Sequence, residues 1–404
     1  MIYRPLKILH AIPSVSPLRG GPSVMVRTLA RGAVAAGLEV HVATTDDNEQ
    51  GHLNVIHGDA QWEEGVAYYH FKRQTRSYIF SWPLTRWLAR HVRDYDLIHI
   101  HALFSYTPVA AAYWASRYGI PYIVRPLGTL NRWGMQNRRP WLKQLSFRSV
   151  ERRILNGASA IHYTSEEERR QAEELGISRK SVVIPNALGP AIPREGLVGR
   201  FRANHPELAG RPIILFLSRL DPKKGLDLLL PAFARMLAEN KKPALVIAGD
   251  GDPLFVKGLQ KEANRLGLGS DILWAGFLQG EQKWAALTDS DIFVLPSYSE
   301  NFGVAAAEAM AMGLPVVISN QLGIHQTVAQ EQAGLIVPCQ VGELARALLQ
   351  LLDNAPLRES CAANARRLAE KEFTQEAVTH KLIALYTTIL SHPWPAAVRA
   401  NSYL

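Results

Sequence analysis

Cysteine is nearly missing from this chain: Cys339 and Cys361 are the two in 404 residues. Two thiols fit neither a disulfide framework nor a metal site, so a reducing compartment is expected. No apolar run approaches the ~20 residues a membrane-spanning helix needs. The opening Met-Ile-Tyr-Arg-Pro-Leu-Lys lacks the pattern of a signal peptide, and the expectation is a soluble, cytoplasmic protein. No repeat at solenoid periods is present. Charged residues make up 20% and hydrophobic ones 47%, which is globular rather than disordered, and 404 residues suffice for two domains. The charge leans one way, with 45 Lys and Arg against 36 Asp and Glu and a net +9. Such a balance implies an anionic companion: a phosphorylated ligand, a membrane surface or a nucleic acid. No nucleic-acid motif accompanies it.

One stretch organises the rest, Ser297 to Pro315. Asp291-Ile-Phe-Val-Leu-Pro296 reads as a buried parallel strand. A polar turn leads to the alanine-rich run Val304 to Met312, which has high helix propensity. Gly313 and Pro315 stop it, and Val316-Val317-Ile318 begins the next strand. A helix entrance at Asn301-Phe302-Gly303 points unpaired N–H groups at whatever lies there, which suits an anionic or hydroxyl-rich ligand. Glu300 and Glu308 bracket the entrance, slightly over two helical turns apart. Alone, the pair reads as well as a helix cap and a solvated side chain. Glu308, however, interrupts an apolar helix and needs a partner or a ligand.

Glu300-Asn-Phe-Gly followed by Glu308-Ala-Met-Ala-Met-Gly-Leu-Pro-Val-Val resembles the glutamate-x7-glutamate signature of retaining glycosyltransferases of family GT4, which have the GT-B fold. The resemblance spans nearly the whole chain and is strongest from Ser218 to Val317. It implies an α/β fold of two Rossmann-like, doubly wound domains facing a cleft. It further implies that Glu300 holds the hydroxyls of a donor sugar and that the backbone of Asn301, Phe302, Gly303 and Val304 positions that sugar. Glu308 is then expected on the ribose of the nucleotide.

In the first half, Leu6 to Ile12 is a strand, Val24 to Ala36 has helical periodicity, and Glu39 to Thr45 is a second strand. Gly20-Gly21 lies in the turn of this βαβ unit, where glycine serves a tight turn or close approach to a ligand. The resemblance favours the ligand and assigns Gly20 and Gly21 to the donor phosphates and acceptor. His99 and His101 project to one side of the strand Asp96 to Ala102. His101, at its carboxyl end, is either a packed histidine or one that reaches the cleft, and the resemblance adds it to the catalytic set. At Leu127-Gly128 the chain departs from the family, many of whose members have a histidine before the glycine. The stretch Arg132 to Arg153 interleaves Arg138, Arg139, Lys143, Arg148, Arg152 and Arg153 with Trp133, Trp141, Leu142, Leu145 and Phe147. It reads as a solvated helix face or as a basic amphipathic surface for an anionic membrane. The family resemblance implies peripheral membrane contact, at the inner face of the cytoplasmic membrane.

In the second half, Pro212 to Ser218 is a strand whose end carries Arg219, and Leu220-Asp-Pro-Lys-Lys-Gly225 turns into the next helix. Arg219 and Lys224 sit where the backbone already favours anions, and arginine can clamp phosphate oxygens bidentately. The segment resembles the family's Gly-Arg-Leu-x-x-x-Lys-Gly motif, in which the two cations neutralise the departing diphosphate. Gly249-x-Gly251 lacks the third glycine of a dinucleotide fingerprint; in the family context Gly249 joins the donor site. Ile272 to Leu278 resembles the base-recognition strand, with Phe277 and Leu278 at the base. The expected domains are 1–195 for the acceptor, 206–375 for the donor, and 376–404 as a helix and tail returning to the first. The implied activity is metal-independent transfer of a hexose, glucose favoured, from a nucleoside-diphosphate sugar, most simply UDP-linked. The implied acceptor is a sugar of a lipid-linked or polysaccharide chain, and no cofactor is expected. A nucleotide-sugar epimerase and a non-catalytic bilobal binding protein are the alternatives.

Overall fold

A computed structural model of the chain describes residues 4–132, 135, 140–189, 196–239 and 242–391. It forms two compact units, Met1–Ala187 with Gln375–Leu404, and Leu188–Thr374.

The first unit is built on strands β1 (Lys7–Ser14), β2 (Glu39–Thr45), β3 (Asp47–Asn48), β4 (Gly51–His52), β5 (Gln61–Glu63) and β6 (Val66–Phe71), then β7 (Leu97–His101), β8 (Tyr122–Arg125), β9 (Ala160–Tyr163) and β10 (Ser181–Val183). Its sheet runs β10-β9-β8-β7-β1-β2-β6-β5. All pairs are parallel except β5 on β6, and β3 and β4 form a small antiparallel pair beside it. Helices cover both faces, so the central strands are continuously buried rather than alternating. One face packs Leu9, Ile98, Ile100 and Val124 against Leu84, Leu88 and Ala111. The other packs Ile8, Leu97, Ile123 and Ala160 against Leu29 and against Val378, Leu382 and Tyr386 of the helix Gln375–Ser391. Gly32 of the helix Gly21–Ala35 makes room for that last helix, because a Cβ there would collide with Thr379 Oγ1.

The second unit contains β11 (Ile213–Leu217), β12 (Ala244–Ala248), β13 (Ile272–Gly276), β14 (Ile292–Leu295), β15 (Val316–Ser319) and β16 (Gly334–Val337). Their order is β13-β12-β11-β14-β15-β16, with every pair parallel. Renumbered within the unit this is 3-2-1-4-5-6, the Rossmann order, whose direction reverses between β11 and β14. Ligands of such sheets sit outside the carboxyl ends of the strands at that reversal.

The units divide between Ala187 and Leu188, earlier than the expected domain bounds of 195 and 206. Leu188 is already buried in the second core, and its N–H donates to Phe373 O at 2.7 Å. Asp289 then accepts from the N–H groups of Gly199, Phe201 and Arg202 at 2.6, 2.8 and 3.1 Å, which docks the short helix Arg200–Asn204. The described part of this segment is folded structure.

The basic stretch forms a helix Pro140–Ser146, a π-helical turn Phe147–Glu151 and a helix Arg152–Gly157. Trp141 and Leu145 are exposed there, whereas Phe147 is buried; Trp133, Arg138 and Arg139 lie outside the described residues. No described helix is long and apolar enough to cross a membrane.

Candidate active site

Five of the residues singled out in the sequence, Arg219, Lys224, Glu300, Gly303 and Glu308, belong to elements that leave the β11/β14 reversal. After β11 the chain stays beside β12: Ser218 N donates to Ala248 O at 3.1 Å and Leu220 N to Asp250 O at 2.7 Å. Arg219 between them is exposed and pairs with no carboxylate among the described residues. Asp221 caps the turn Pro222–Lys224 by accepting from Lys223 N at 3.0 Å. Gly225 follows at φ 77°, and a side chain on it would collide with Pro296 O. This close approach brings the turn against the segment leaving β14.

The consequence is an ion pair. Lys224, 7% exposed, places Nζ on Glu300 Oε2. The Glu300 backbone is fixed by its own N–H to Gln321 O at 3.1 Å and by Gly323 N to its carbonyl at 2.9 Å. Lys223 sits beside the pair, and burial together with the charge of Lys224 pushes its amine below the usual lysine range. Arg219, Lys223 and Lys224 thus form a cationic corner, with Glu300 paired to Lys224 and Asp221 capping the turn.

Gly303 stands at the head of the helix Val304–Ala311 with φ 93°, and a Cβ there would lie 2.8 Å from Leu322 Cδ2. It therefore has to be glycine, and it brings no side chain to cap the first N–H groups of the helix. Asn301 is partly exposed just before it. The Phe302 side chain does not face this space: it is 2% exposed and edge-on to Phe373 at 5.5 Å, so any ligand contact there is through the backbone. Glu308 has the partner its apolar helix demands, Lys283 Nζ at 2.7 Å, with both side chains partly open to solvent. Lys283 also lies over the Trp284 ring at 4.3 Å. Nothing in the sequence marked Lys283, because helix-to-helix pairing at that separation has no local signature.

Gly249 has a packing reason for being glycine: φ is 144°, and a Cβ would collide with Ser218 O. Its N–H donates to Gly276 O at 2.7 Å, so it draws β11, β12 and β13 together below the site. Phe277 follows β13 and is 62% exposed, a large apolar side chain in solvent, with Leu278 partly covered beside it.

In the first unit, Gly20 (φ 69°) and Gly21 begin the helix Gly21–Ala35, both exposed with open space around them. They lie beyond β1, where that sheet reverses between β1 and β7. His101 does not line open space, which corrects the expectation that it reaches a cleft. It is fully buried in a row of imidazoles contributed by β1, β7 and β9: His10, His99, His101 and His162. His10 Nδ1 meets His101 Nε2 at 2.8 Å, His99 Nε2 meets His162 Nδ1 at 3.3 Å, and His99 Nδ1 meets Tyr386 Oη at 2.8 Å. The rings of His99 and His101 stack at 4.4 Å. Burial, the neighbouring imidazoles and Arg125 hold His99 and His101 well below the usual histidine range, and burial with Arg125 holds His10 at about 3. Nitrogens of His10, His99 and His101 lie within 4.8 Å of one another, a spacing a metal ion could use. Only the fold brings these strands together, so the sequence showed the His99/His101 pair and not the row. Leu127, in place of the family histidine, has φ 57° and precedes Gly128, whose N–H donates to Glu168 Oε1 at 2.5 Å.

Both units are similar to known proteins. Residues 199–368 match the family model described as glycosyl transferases group 1, and residues 20–187 match the glycosyl transferase 4-like domain. The alpha-D-kanosaminyltransferase of Streptomyces kanamyceticus is 30% identical over 45% of this chain and 47% of its own, so that match spans about half of the relative. The D-inositol 3-phosphate glycosyltransferase of Jonesia denitrificans is 27% identical over 94% of each chain. Among solved structures, Anabaena HepE in complex with UDP and glucose superposes with a TM-score of 0.74 at 20% identity, covering 95% of this chain and 100% of that one. A Rossmann-like sheet in each unit, the paired family models and relatives of this kind together place the chain in the GT4-type glycosyltransferases of GT-B fold, and hence among the transferase enzymes.

Proposed function

We propose that the protein moves a sugar from a nucleoside-diphosphate donor to a sugar acceptor with retention of anomeric configuration. What carries this reading is the Lys224–Glu300 pair at the β11/β14 reversal, beside Arg219, which pairs with no carboxylate among the described residues. Arg219 and Lys224 would take the diphosphate, with Lys223 adding a third charge. That charge matters most as the glycosidic bond lengthens and the phosphate oxygen gains electron density, where preformed cations stabilise the transition state more than the ground state. Glu300, released from Lys224 by the phosphate, would accept hydrogen bonds from the sugar hydroxyls, and the N–H groups following Gly303 would fix the sugar. Glu308 would hold the ribose, and the backbone at Phe277 and Leu278 would meet the base.

A UDP-sugar is the proposed donor and glucose the favoured sugar; HepE, similar in fold, was solved with UDP and glucose. The acceptor is proposed as a sugar of a lipid-linked or polysaccharide chain, with the exposed Trp141 and Leu145 beside Lys143 and Arg148 as the peripheral membrane contact. No cofactor enters the scheme. Incubating the chain with UDP-glucose and following UDP release tests the reading: turnover that Glu300→Ala abolishes supports it. Conversion of UDP-glucose into an isomeric nucleotide sugar would replace it with the epimerase.

A further inference from the structure

We propose that the first unit carries a second binding site, for a single sugar ring bearing a phosphate or carboxylate, in the cavity between the helix Trp82–His91 and strand β6. The cavity measures about 280 Å³. Phe71, Pro83 and Trp87 form its apolar floor, and Lys72, Arg86 and Arg90 stand around it. These walls are fixed by the fold. Ser81 Oγ caps the helix, accepting from Leu84 N at 3.4 Å, and donates to Lys72 O at 2.9 Å, so helix start and strand end are tied together. On the other side Gly58 N donates to His70 O at 2.9 Å. Trp87 is wedged against Tyr69 and Phe71, with ring centroids at 4.7 and 5.5 Å.

The charges give the site its direction. Arg86 and Arg90 are one helical turn apart, where like charges repel, and neither they nor Lys72 pair with a carboxylate among the described residues. Elsewhere on the same unit Arg27 and Arg31 pair with Glu63 and Glu64. Two imidazoles also face the cavity, but His57 already meets Asp46 Oδ2 at 3.0 Å and His91 meets Asp94 Oδ2 at 3.2 Å. Three cations therefore remain for an anion from outside, and the two guanidiniums can take its oxygens bidentately. The aromatic floor asks for a ring with an apolar face, which a pyranose supplies with its C–H bonds. The volume sits just under the roughly 300–1,000 Å³ of ordinary small-molecule pockets, which suits one substituted ring. None of these residues belongs to the donor site in the second unit.

The test is calorimetric titration of the chain, at low salt and with saturating UDP, against glucose 6-phosphate, glucuronate, glucose and inorganic phosphate. The site predicts that at least one sugar anion binds at least tenfold more tightly than glucose or phosphate, and the better of the two names the anionic group. Arg86→Glu with Arg90→Glu, and separately Lys72→Glu on the strand, should each weaken that binding at least tenfold with an unchanged melting temperature and unchanged UDP titration. Phosphate binding as tightly as the sugar anions, equal binding by the charge-reversed chains, or no binding by any of the four would overturn it.

Discussion

Replacing Glu300 by glutamine separates two roles that a single carboxylate plays in this account. In the structure Glu300 neutralises Lys224 at the position proposed for the diphosphate. Removing one partner of a fully buried ion pair costs about 3–5 kcal/mol. Here the side chains are 21% and 9% exposed, so solvent screening reduces the expected loss of stability to about 1–2 kcal/mol. The same change removes a negative charge from beside the bound diphosphate, worth about 1 kcal/mol at water-like screening. Glu300→Gln should therefore bind UDP about fivefold more tightly than the parent chain. UDP-glucose should not share that gain, because the carboxylate that holds its hydroxyls is gone, and turnover should fall by at least a hundredfold. Calorimetric titrations of both ligands, with a urea melt for stability, give all three quantities. Weaker UDP binding in Glu300→Gln would refute the arrangement, because the carboxylate would then be serving the nucleotide itself.

Other consequences are independent of that pair. Glu308→Gln should weaken UDP about tenfold while leaving inorganic pyrophosphate unaffected, because a hydrogen bond from ribose to a charged acceptor is worth about 1.5–3 kcal/mol; equal losses for both ligands would move Glu308 off the ribose. The buried histidine row should make the first unit acid-sensitive. His10 stays neutral in the fold down to about 3 against an unfolded value near 6.5, so its contribution is whole above pH 6.5 and is lost as pH falls toward 3, at about 1.4 kcal/mol per pH unit for each such histidine. Urea melts between pH 7.5 and 5 that show no proton uptake on unfolding would contradict the row. Glu151 behaves oppositely: burial pushes its carboxyl up to about 7, so the stability it confers is whole below about pH 4.5 and declines as pH rises through 7. Glu151→Gln should then be the more stable chain at pH 8, by about 2 kcal/mol or less, and parity at both ends of that range would rule the effect out.

How far the sequence reached follows from which interactions are local. The second sheet was legible because its strands are short apolar runs closed by Gly and Pro, and the turn Leu220–Gly225 and the entrance Glu300–Gly303 are contiguous motifs. What escaped was pairing across the fold. Lys283 is the partner of Glu308 from another helix, and four histidines from β1, β7 and β9 meet under Tyr386. The Phe302 ring packs in the core against Phe373, far along the chain, a contact that the motif around it does not show. At Gly249 the backbone of Ser218 occupies the space a side chain would need, a close approach between strands that no local motif shows. Asp289 converted an apparent linker into a docked helix by accepting three backbone N–H groups.

The most direct test of the donor site is titration of the purified chain with UDP, alone and as the Arg219→Ala and Lys224→Ala variants. Each cation bonded to phosphate is worth about 1.5–3 kcal/mol, so each variant should lose between about tenfold and a hundredfold in affinity, with UDP-glucose following UDP. Affinity for UDP that is unchanged in both variants would contradict the site at the β11/β14 reversal.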